Sequence, residues 1–259
     1  MPRANPALPL AEWYVISLRP LGQHAGVRRA AAAMGARTFA LSTLAIEPLA
    51  ARAELKAALG CDILVVTSPN AAQQAAAQAP LKMRRGQRWY AVGPGTAAAL
   101  RRAGVTDVTV PAGGADSEAL LALPALADLS GQTVGVITAP GGRSLLALAL
   151  AARGAQIRLA EVYRRQPLVP RPFRLDGLAA LPRRSALLVT SGEALANLWQ
   201  ALDERIRARL RSRDCVVSSP RLRAQARALG FRHSLLAADA QPASLLAALA
   251  RDAGSRRFR

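Results

Sequence analysis

The feature that most constrains this chain is the alternation of short apolar runs with longer amphipathic stretches rich in Ala, Leu and Arg. Each apolar run has the composition of a strand that is buried on both faces of a parallel sheet. Gly35 and Gly104 each end one of the amphipathic stretches, as the C-terminus of a helix requires. The alternation predicts doubly wound α/β architecture. The predicted strands are 13–18, 63–67, 89–92, 133–138, 186–190 and 215–218, and the predicted helices are 22–34, 71–79, 96–103, 145–153, 192–211 and 221–229.

The second half of the chain also resembles the first half. Three segments recur later in the chain at offsets of 119, 123 and 126 residues. A slowly growing offset is expected when two related units differ by small loop insertions. We therefore predict two similar α/β domains. The paired segments are 35–48 with 154–167, 64–68 with 187–191, and 91–104 with 217–230.

The charge indicates an anionic partner without identifying it. The 259 residues include 35 basic and 16 acidic side chains, a net charge of +19, and Lys56 and Lys82 are the only lysines. An arginine-rich, lysine-poor composition is typical of a GC-rich genome, but the positive field still attracts polyanions. A nucleic acid, an acidic membrane surface and a small multi-carboxylate molecule all fit. The low aromatic content of 4% and the lack of a recognition motif argue against nucleic acid.

Targeting signals and cysteines indicate a protein of the cytoplasm. The first residues lack the apolar core of a signal peptide, and the longest apolar run, 145–152, is too short to span a bilayer. Cys61 and Cys215 permit neither a disulfide framework nor a cysteine-based zinc site, so we expect buried free thiols. A two-lobed binding protein of the periplasmic type is an alternative, which the missing signal peptide weakens.

Five predicted strand-to-helix loops share a chemistry suited to anions. Each places Ser, Thr or Gly ahead of a helix, where free backbone N–H groups and the helix dipole attract negative charge. Ordinary N-capping by Ser and Thr is the alternative for each loop alone. Five such loops together favour an anionic ligand held largely by the backbone, and none matches a dinucleotide fingerprint or a Walker loop. The loops are 67–70, 93–96, 140–144, 190–193 and 218–221.

The sequence lacks a familiar catalytic constellation. His24 and His233 have no cysteine or carboxylate at metal-ligand spacing and are predicted to be solvated imidazoles. The segment 116–118 is typical of a helix cap, and the arginines of 205–213 are predicted to spread around a solvated helix. An enzyme with this inventory needs no metal, no cofactor and no covalent nucleophile.

Taken in order, the loops resemble the uroporphyrinogen-III synthase family over about residues 15–250. The resemblance implies two α/β domains joined by a pair of strands: a discontinuous domain of residues 1–48 with 164–259, and an inserted domain of residues 49–163. The connector strands are expected near 42–48 and 160–167. The motifs that carry the resemblance are Arg19-Pro20 with Gln23, and the segments 66–71, 92–97, 115–120, 141–143, 154–155, 162–164, 189–191 and 218–221.

The resemblance also implies a reaction. The family closes hydroxymethylbilane, a linear tetrapyrrole with eight carboxylates, to uroporphyrinogen III with loss of water and inversion of the last pyrrole through a spiro intermediate. Tyr163 matches the tyrosine proposed in the family to assist departure of the hydroxyl; its alternative is an amphipathic residue at a strand end. The residues expected to bind substrate are Arg19, Thr67, Ser68, Gly93, Thr96, Ser117, Gly142, Arg143, Thr190, Ser191, Ser218 and Ser219.

The chain departs from the family pattern at two places. Residues 138–140 replace the Arg-Gly that often precedes Gly-Gly-Arg, and Leu18 stands where many relatives have Thr.

We expect a cytoplasmic monomer without cofactor or metal that binds neither nucleic acid nor membrane. Hydroxymethylbilane synthase is expected to hand the substrate over transiently.

Overall fold

The computed structural model describes residues 8–112, 116–141 and 144–257, which form two compact units. The first unit combines residues up to Ala45 with residues from Gln166 onward, and the second unit runs from Ile46 to Arg165. The sequence-based boundaries, after residues 48 and 163, stand a few residues away from these.

The elements alternate along the chain in both units. The strands are β1 Tyr14–Ser17, β2 Arg37–Ala40, β3 Leu44–Pro48, β4 Ile63–Val66, β5 Arg88–Ala91, β6 Thr133–Thr138, β7 Gln156–Glu161, β8 Tyr163–Pro167, β9 Ser185–Val189, β10 Asp214–Val217 and β11 His233–Leu236. The α-helices are α1 Ala25–Ala33, α2 Arg52–Leu59, α3 Pro69–Gln78, α4 Pro94–Arg102, α5 Ser117–Leu121, α6 Ser144–Ala152, α7 Pro172–Ala180, α8 Gly192–Ala201, α9 Glu204–Arg211, α10 Pro220–Ala228 and α11 Pro242–Arg257, with a short 3-10 helix at Pro124–Leu126. The six sequence-predicted strands are therefore confirmed, with ends shifted by about one residue.

Each unit contains a parallel sheet. The first unit has the strand order β11-β10-β9-β1-β2, and the second has β5-β4-β6-β7. Every pairing in these two sheets is parallel. The doubly wound α/β architecture expected from the alternation is confirmed.

A separate two-stranded sheet carries the chain between the units. It pairs β3 with β8. The Leu49 N–H donates to the Val162 carbonyl at 3.1 Å, and the Leu168 N–H donates to the Thr43 carbonyl at 2.9 Å, so the strands run antiparallel. The two-strand connector implied by the family resemblance is present.

Both faces of each parallel sheet are buried, as the near-continuous apolar strands predict. In β4, Ile63 and Val65 pack into one apolar cluster while Leu64 and Val66 pack into another. The same division separates Val15 from Ile16 in the first unit. Because successive side chains of a strand point to opposite faces, each sheet lies between two helical layers.

One predicted helix is wrong. Residues 192–211 form two helices, α8 and α9, because the backbone becomes extended at Leu202 and Asp203. Leu202 is buried in the core, and the Asp203 carboxylate accepts the Ile206 N–H at 2.7 Å as the N-cap of α9.

The arginine run at the end of α9 is also less solvated than predicted. Arg213 is buried, and its guanidinium donates to the Leu181 carbonyl at 2.7 Å and to the Pro182 carbonyl. Burial, with smaller effects from Arg209 and Arg183, lowers the pKa of this guanidinium. Arg213 is therefore part of the packing between α7 and β10 rather than of a solvated face.

No helix among the described residues is long and apolar enough to cross a bilayer.

Gly135 provides a test of the helix-to-sheet packing in the second unit. A Cβ at Gly135 on β6 would lie 2.3 Å from the Ala58 carbonyl oxygen of α2. We expect Gly135→Ala to lower the free energy of unfolding by about 1–3 kcal/mol or more, because the backbone of α2 must shift. Urea unfolding followed by circular dichroism measures the change.

Gly254→Ala is the matched control. Gly254 lies in α11, and beyond its own turn of helix no described atom lies within 4 Å of the place that a Cβ would take. Alanine favours a helix over glycine by about 1 kcal/mol, so this variant should unfold at the same or a higher urea concentration. Equal unfolding midpoints for the two variants would contradict the described packing.

Candidate active site

In the second unit, the loops after the parallel strands meet at the carboxyl edge of the sheet. Thr67 follows β4 and is buried, and its hydroxyl donates to the Thr138 hydroxyl, at the end of β6, at 2.8 Å. The Thr67 N–H also donates to the Ile137 carbonyl at 3.1 Å. Thr67 thus ties together the ends of two neighbouring strands.

Ser68 and Tyr163 form a hydroxyl pair beside this tie. The Ser68 Oγ accepts the Ala71 N–H at 3.0 Å as the N-cap of α3 and lies 3.0 Å from the Tyr163 hydroxyl. Tyr163 is 2% exposed, and it is the first residue of β8. Two residues singled out by the sequence, 95 positions apart, therefore lie in hydrogen-bond contact.

The hydroxyl pair has a definite chemical capacity. Either hydroxyl is able to donate in the bond between Ser68 and Tyr163. When Ser68 donates, the Tyr163 proton is available to another acceptor, and Ser68 remains placed to hydrogen-bond the phenolic oxygen. The Ala71 N–H holds the Ser68 oxygen in place throughout. This arrangement can deliver one proton to an oxygen of a bound molecule.

Other predicted residues of the second unit occupy helix starts. Gly93 is the N-cap of α4, and Thr96 lies inside its first turn with a buried side chain. Ser117 is the first residue of α5, where the Asp116 carboxylate accepts the Ala119 N–H at 2.9 Å, so the capping interpretation of this segment is confirmed. Gly142 and Arg143 lie outside the described residues.

In the first unit, two predicted serines are helix caps. The Ser191 Oγ accepts the Ala194 N–H at 3.2 Å, and the Ser219 Oγ accepts the Leu222 N–H at 3.3 Å. Thr190 and Ser218 immediately precede them at the ends of β9 and β10. A cap uses the hydroxyl oxygen as an acceptor and leaves the hydroxyl proton for another partner, so capping and anion binding are compatible.

Arg19 lies in the loop after β1. Its guanidinium donates to the Ala240 carbonyl at 2.5 Å, and its own carbonyl accepts the Ser42 hydroxyl at 3.0 Å. Burial lowers the pKa of the Arg19 guanidinium. A partly desolvated cation with a backbone carbonyl as its partner is stabilised by an added anion.

The prediction that His24 is a solvated imidazole is wrong. His24 is 7% exposed; its Nδ1 lies 2.9 Å from the Ser17 Oγ and its Nε2 lies 2.8 Å from the Ser42 Oγ. Because Ser42 donates its own proton to Arg19, the His24 Nε2–H must donate to Ser42, and Nδ1 then accepts the Ser17 proton. One neutral tautomer completes this chain, which fixes the loop that carries Arg19.

The surroundings of His24 favour this neutral form. Burial is the largest cause that lowers its pKa, followed by the charges of Arg28, Arg174 and Arg19. Protonation would add a fourth positive charge and would remove the acceptor for Ser17. The sequence offered no signal for this role, because Ser17 and Ser42 come from the ends of different segments.

His233 is partly exposed, but two carboxylates from distant parts of the sequence lie beside its ring. Its Nδ1 lies 2.9 Å from the Asp214 carboxylate, and its Nε2 lies 3.7 Å from the Asp252 carboxylate. Among the described residues these three side chains form a group with the spacing to hold a metal ion. Asp214 and His233 begin β10 and β11, so the group lies at the edge of the sheet opposite the loops of Ser191 and Ser219.

The family model for uroporphyrinogen-III synthase HemD matches residues 27–247 of the chain. The chain belongs to the uroporphyrinogen-III synthase family. It is 34% identical to the uroporphyrinogen-III synthase of Escherichia coli (strain K12) over 208 residues, which cover 76% of this chain and 82% of that enzyme. It is also 37% identical to the uroporphyrinogen-III synthase of Salmonella typhimurium over 169 residues. That match covers 62% of this chain and 66% of the relative, which is just under two thirds of its length.

Solved structures of the uroporphyrinogen-III synthase family share the fold. A mutant enzyme from Thermus thermophilus superimposes with a TM-score of 0.61 at 20% identity, covering 94% of this chain and 99% of the other. The enzyme from Helicobacter pylori also has a TM-score of 0.61, at 14% identity, covering 95% and 100%. At these identities the likeness shows the two-domain α/β fold.

The environment of His24 predicts a pH dependence of stability. Its pKa in the folded protein is lower than its ordinary value of about 6.5, so the unfolded chain takes up the proton first as the pH falls. The free energy of unfolding should therefore decrease as the pH falls below about 6.5 and level off below the folded-state pKa. Urea unfolding between about pH 7.5 and 5 measures this decrease.

Replacement of His24 separates its contribution to the pH dependence of stability from the contributions of other titrating groups. In His24→Gln the decrease between about pH 7 and 5 should become smaller, because the titrating group is gone. His233→Gln, which keeps His24, is the control for a lost histidine. A pH dependence that is identical in His24→Gln and the parent protein would contradict the assignment.

Proposed function

We propose that this chain carries out the reaction of its family and closes hydroxymethylbilane to uroporphyrinogen III, with loss of water and inversion of the terminal pyrrole. The observation that carries this proposal is the family match over residues 27–247, supported by 34% identity to a relative of which the match covers 82%. The chain is thus a cyclising hydro-lyase of tetrapyrrole biosynthesis.

Departure of the hydroxymethyl oxygen is the step for which the hydroxyl pair is suited. Tyr163 gives its proton to that oxygen, the carbon–oxygen bond breaks with its electron pair on the oxygen, and water leaves. The Ser68 hydroxyl, 3.0 Å from the Tyr163 oxygen, then hydrogen-bonds the phenolate. The substrate is left as an electrophilic azafulvenium cation, whose charge the phenolate balances, and the proton released when the ring closes returns to the Tyr163 oxygen.

The remaining steps depend on the position of the substrate more than on side-chain chemistry. The substituted carbon of the last ring attacks the azafulvene carbon, and the resulting spiro intermediate fragments and closes again with that ring inverted. Without the enzyme, closure gives the unrotated isomer. Holding the chain in the spiro-forming geometry therefore accounts for most of the catalysis.

The helix starts supply donors for the eight substrate carboxylates. Backbone N–H groups at the first turns of α3, α4, α8 and α10 and the uncommitted protons of their capping serines are suited to carboxylate oxygens. The contacts that we propose are those of Arg19, Thr67, Ser68, Gly93, Thr96, Ser117, Gly142, Arg143, Thr190, Ser191, Ser218 and Ser219. The net charge of +19 adds a general attraction for this polyanion.

The proposed setting is the cytoplasm, with the protein acting as a monomer that receives its substrate from hydroxymethylbilane synthase. Both cysteines are buried free thiols, in keeping with a reducing compartment. Cys215 is fully buried, and burial raises the pKa of its thiol to about 12, which disfavours the nucleophilic thiolate form.

An assay of isomers tests the proposed reaction directly. Hydroxymethylbilane is generated in place by hydroxymethylbilane synthase, and the oxidised products are separated by chromatography. We expect isomer III to predominate when this protein is present and isomer I when it is omitted. Isomer I alone in the presence of the folded protein would overturn the proposal.

Tyr163→Phe tests the proton donor. The variant keeps the ring in its buried position but removes the proton, so we expect kcat to fall about 100- to 10,000-fold with little change in thermal stability, in line with the usual contribution of general acid catalysis. Tyr90→Phe is the control, because Tyr90 is a second buried tyrosine of the same unit. Equal kcat values for the two variants would remove Tyr163 from the reaction.

A further inference from the structure

A second group of basic residues surrounds a cavity within the first unit. The cavity has a volume of about 640 Å³ and lies where β1 and β2 end, against the segment that leads from β8 into α7. The carboxyl ends of parallel strands are the usual place for ligands in sheets of this kind. None of the cavity's basic side chains is among the residues expected from the sequence to bind substrate.

The charge of the cavity is uncompensated. Arg28, Arg171 and Arg174 line it, and none of the lining residues is acidic. Within the described parts of the chain, the guanidinium groups of Arg28 and Arg171 make neither an ion pair nor a hydrogen bond. Two cations that line one cavity without a protein acceptor favour binding of an anion.

Arg174 differs from Arg28 and Arg171 because its guanidinium already contacts other groups of the protein. Its guanidinium lies over the Phe39 ring, 4.3 Å from the ring centre, and donates to the Ala40 carbonyl. Arg174 therefore adds positive charge at a fixed position, while Arg28 and Arg171 keep donors for a ligand.

The rest of the cavity wall is shaped by neutral groups. His24 and Ser42 form its polar part, and their hydrogen bonds to Ser17 and to the Arg19 carbonyl hold them in place. Leu21 and Val169 are apolar and exposed, 63% and 85% respectively. Exposed apolar side chains beside free guanidinium groups match a ligand with short methylene arms and a charged end.

We propose that this cavity binds a carboxylate side chain of the substrate, with Arg28 and Arg171 as its hydrogen-bond donors and with Leu21 and Val169 against its methylene groups. This inference rests on the proposed function, because a polycarboxylate substrate supplies the ligand. Guanidinium groups pair with carboxylates through charge-assisted hydrogen bonds. The cavity thus serves to position the substrate and takes no part in bond making.

Kinetic analysis of charge-neutral variants tests this assignment. Arg28→Gln and Arg171→Gln should each raise KM for hydroxymethylbilane about five- to tenfold, with little change in kcat or in the fraction of isomer III, since only binding is lost. Arg29→Gln is the matched control: Arg29 is the next residue of α1, is exposed, carries the same charge and does not line the cavity. Its KM should stay within about twofold of the parent value.

The ionic strength provides a second readout. Because the contacts are partly exposed, added salt should weaken them and narrow the KM difference between Arg28→Gln and the parent protein. KM values that are the same for Arg28→Gln, Arg171→Gln and Arg29→Gln would overturn the assignment. Circular dichroism and thermal unfolding establish that the three variants are folded.

A binding experiment separates failure of this inference from failure of the proposed function. Titration calorimetry with propane-1,2,3-tricarboxylate should detect binding to the parent protein and to Arg29→Gln that is weakened in Arg28→Gln and Arg171→Gln. Tighter, equally variant-sensitive binding of inorganic phosphate would overturn the choice of a carboxylate. If no isomer III is formed while the tricarboxylate pattern holds, the proposed function fails and the carboxylate site stands.

Discussion

Parallel pairing of the strands determines where chemistry is possible in this protein. A parallel strand is followed by a crossover helix, so the carboxyl ends of the strands and the N-termini of the helices lie at the same edge of each sheet. Nearly every residue that the sequence associates with substrate lies in such a loop. The unpaired N–H groups of a helix start are costly to bury and need acceptors. Ser68, Ser191 and Ser219 provide those acceptors from within the chain.

One serine hydroxyl is therefore able to cap a helix and to bind a second group. Its lone pair accepts the helix N–H, and its proton is left for another partner. A serine that accepts an N–H loses rotational freedom but keeps its proton, so a capping hydroxyl remains a donor at a fixed position. At Ser68 this fixed position is used a second time, because the capped hydroxyl contacts Tyr163. A serine that was free to rotate would hold the phenol less well. Stability of α3 and placement of the Tyr163 hydroxyl thus have one structural cause.

Local patterns predict the elements of this fold better than they predict contacts between distant residues. The fully apolar strand Ile63–Val66 could be found from the sequence, because burial on both faces leaves no polar position in it. The end of α8 could not, since one capping aspartate, Asp203, outweighs the helical pattern on either side. The family resemblance singled out Ser68 and Tyr163 separately, but no pattern in the sequence predicted the contact between them. The burial of His24 had no local signal, because its two partners lie 7 and 18 residues away on different segments.

The net charge of +19 is a poor measure of how strongly the protein attracts a ligand, because many of its arginines are already engaged with backbone carbonyls. Arg153 donates to the carbonyls of Leu121 and Leu126, and Arg209 donates to that of Ala179, all at or near the ends of helices. A guanidinium in this role has donors committed to the fold, although its charge still counts toward the total. Arg28 and Arg171, which have no such acceptor among the residues that the structure describes, keep all five donors in a fork that matches a carboxylate. Local donors of this kind, together with the N–H groups at the helix starts, are therefore a better guide to where an anion would bind than the total charge is.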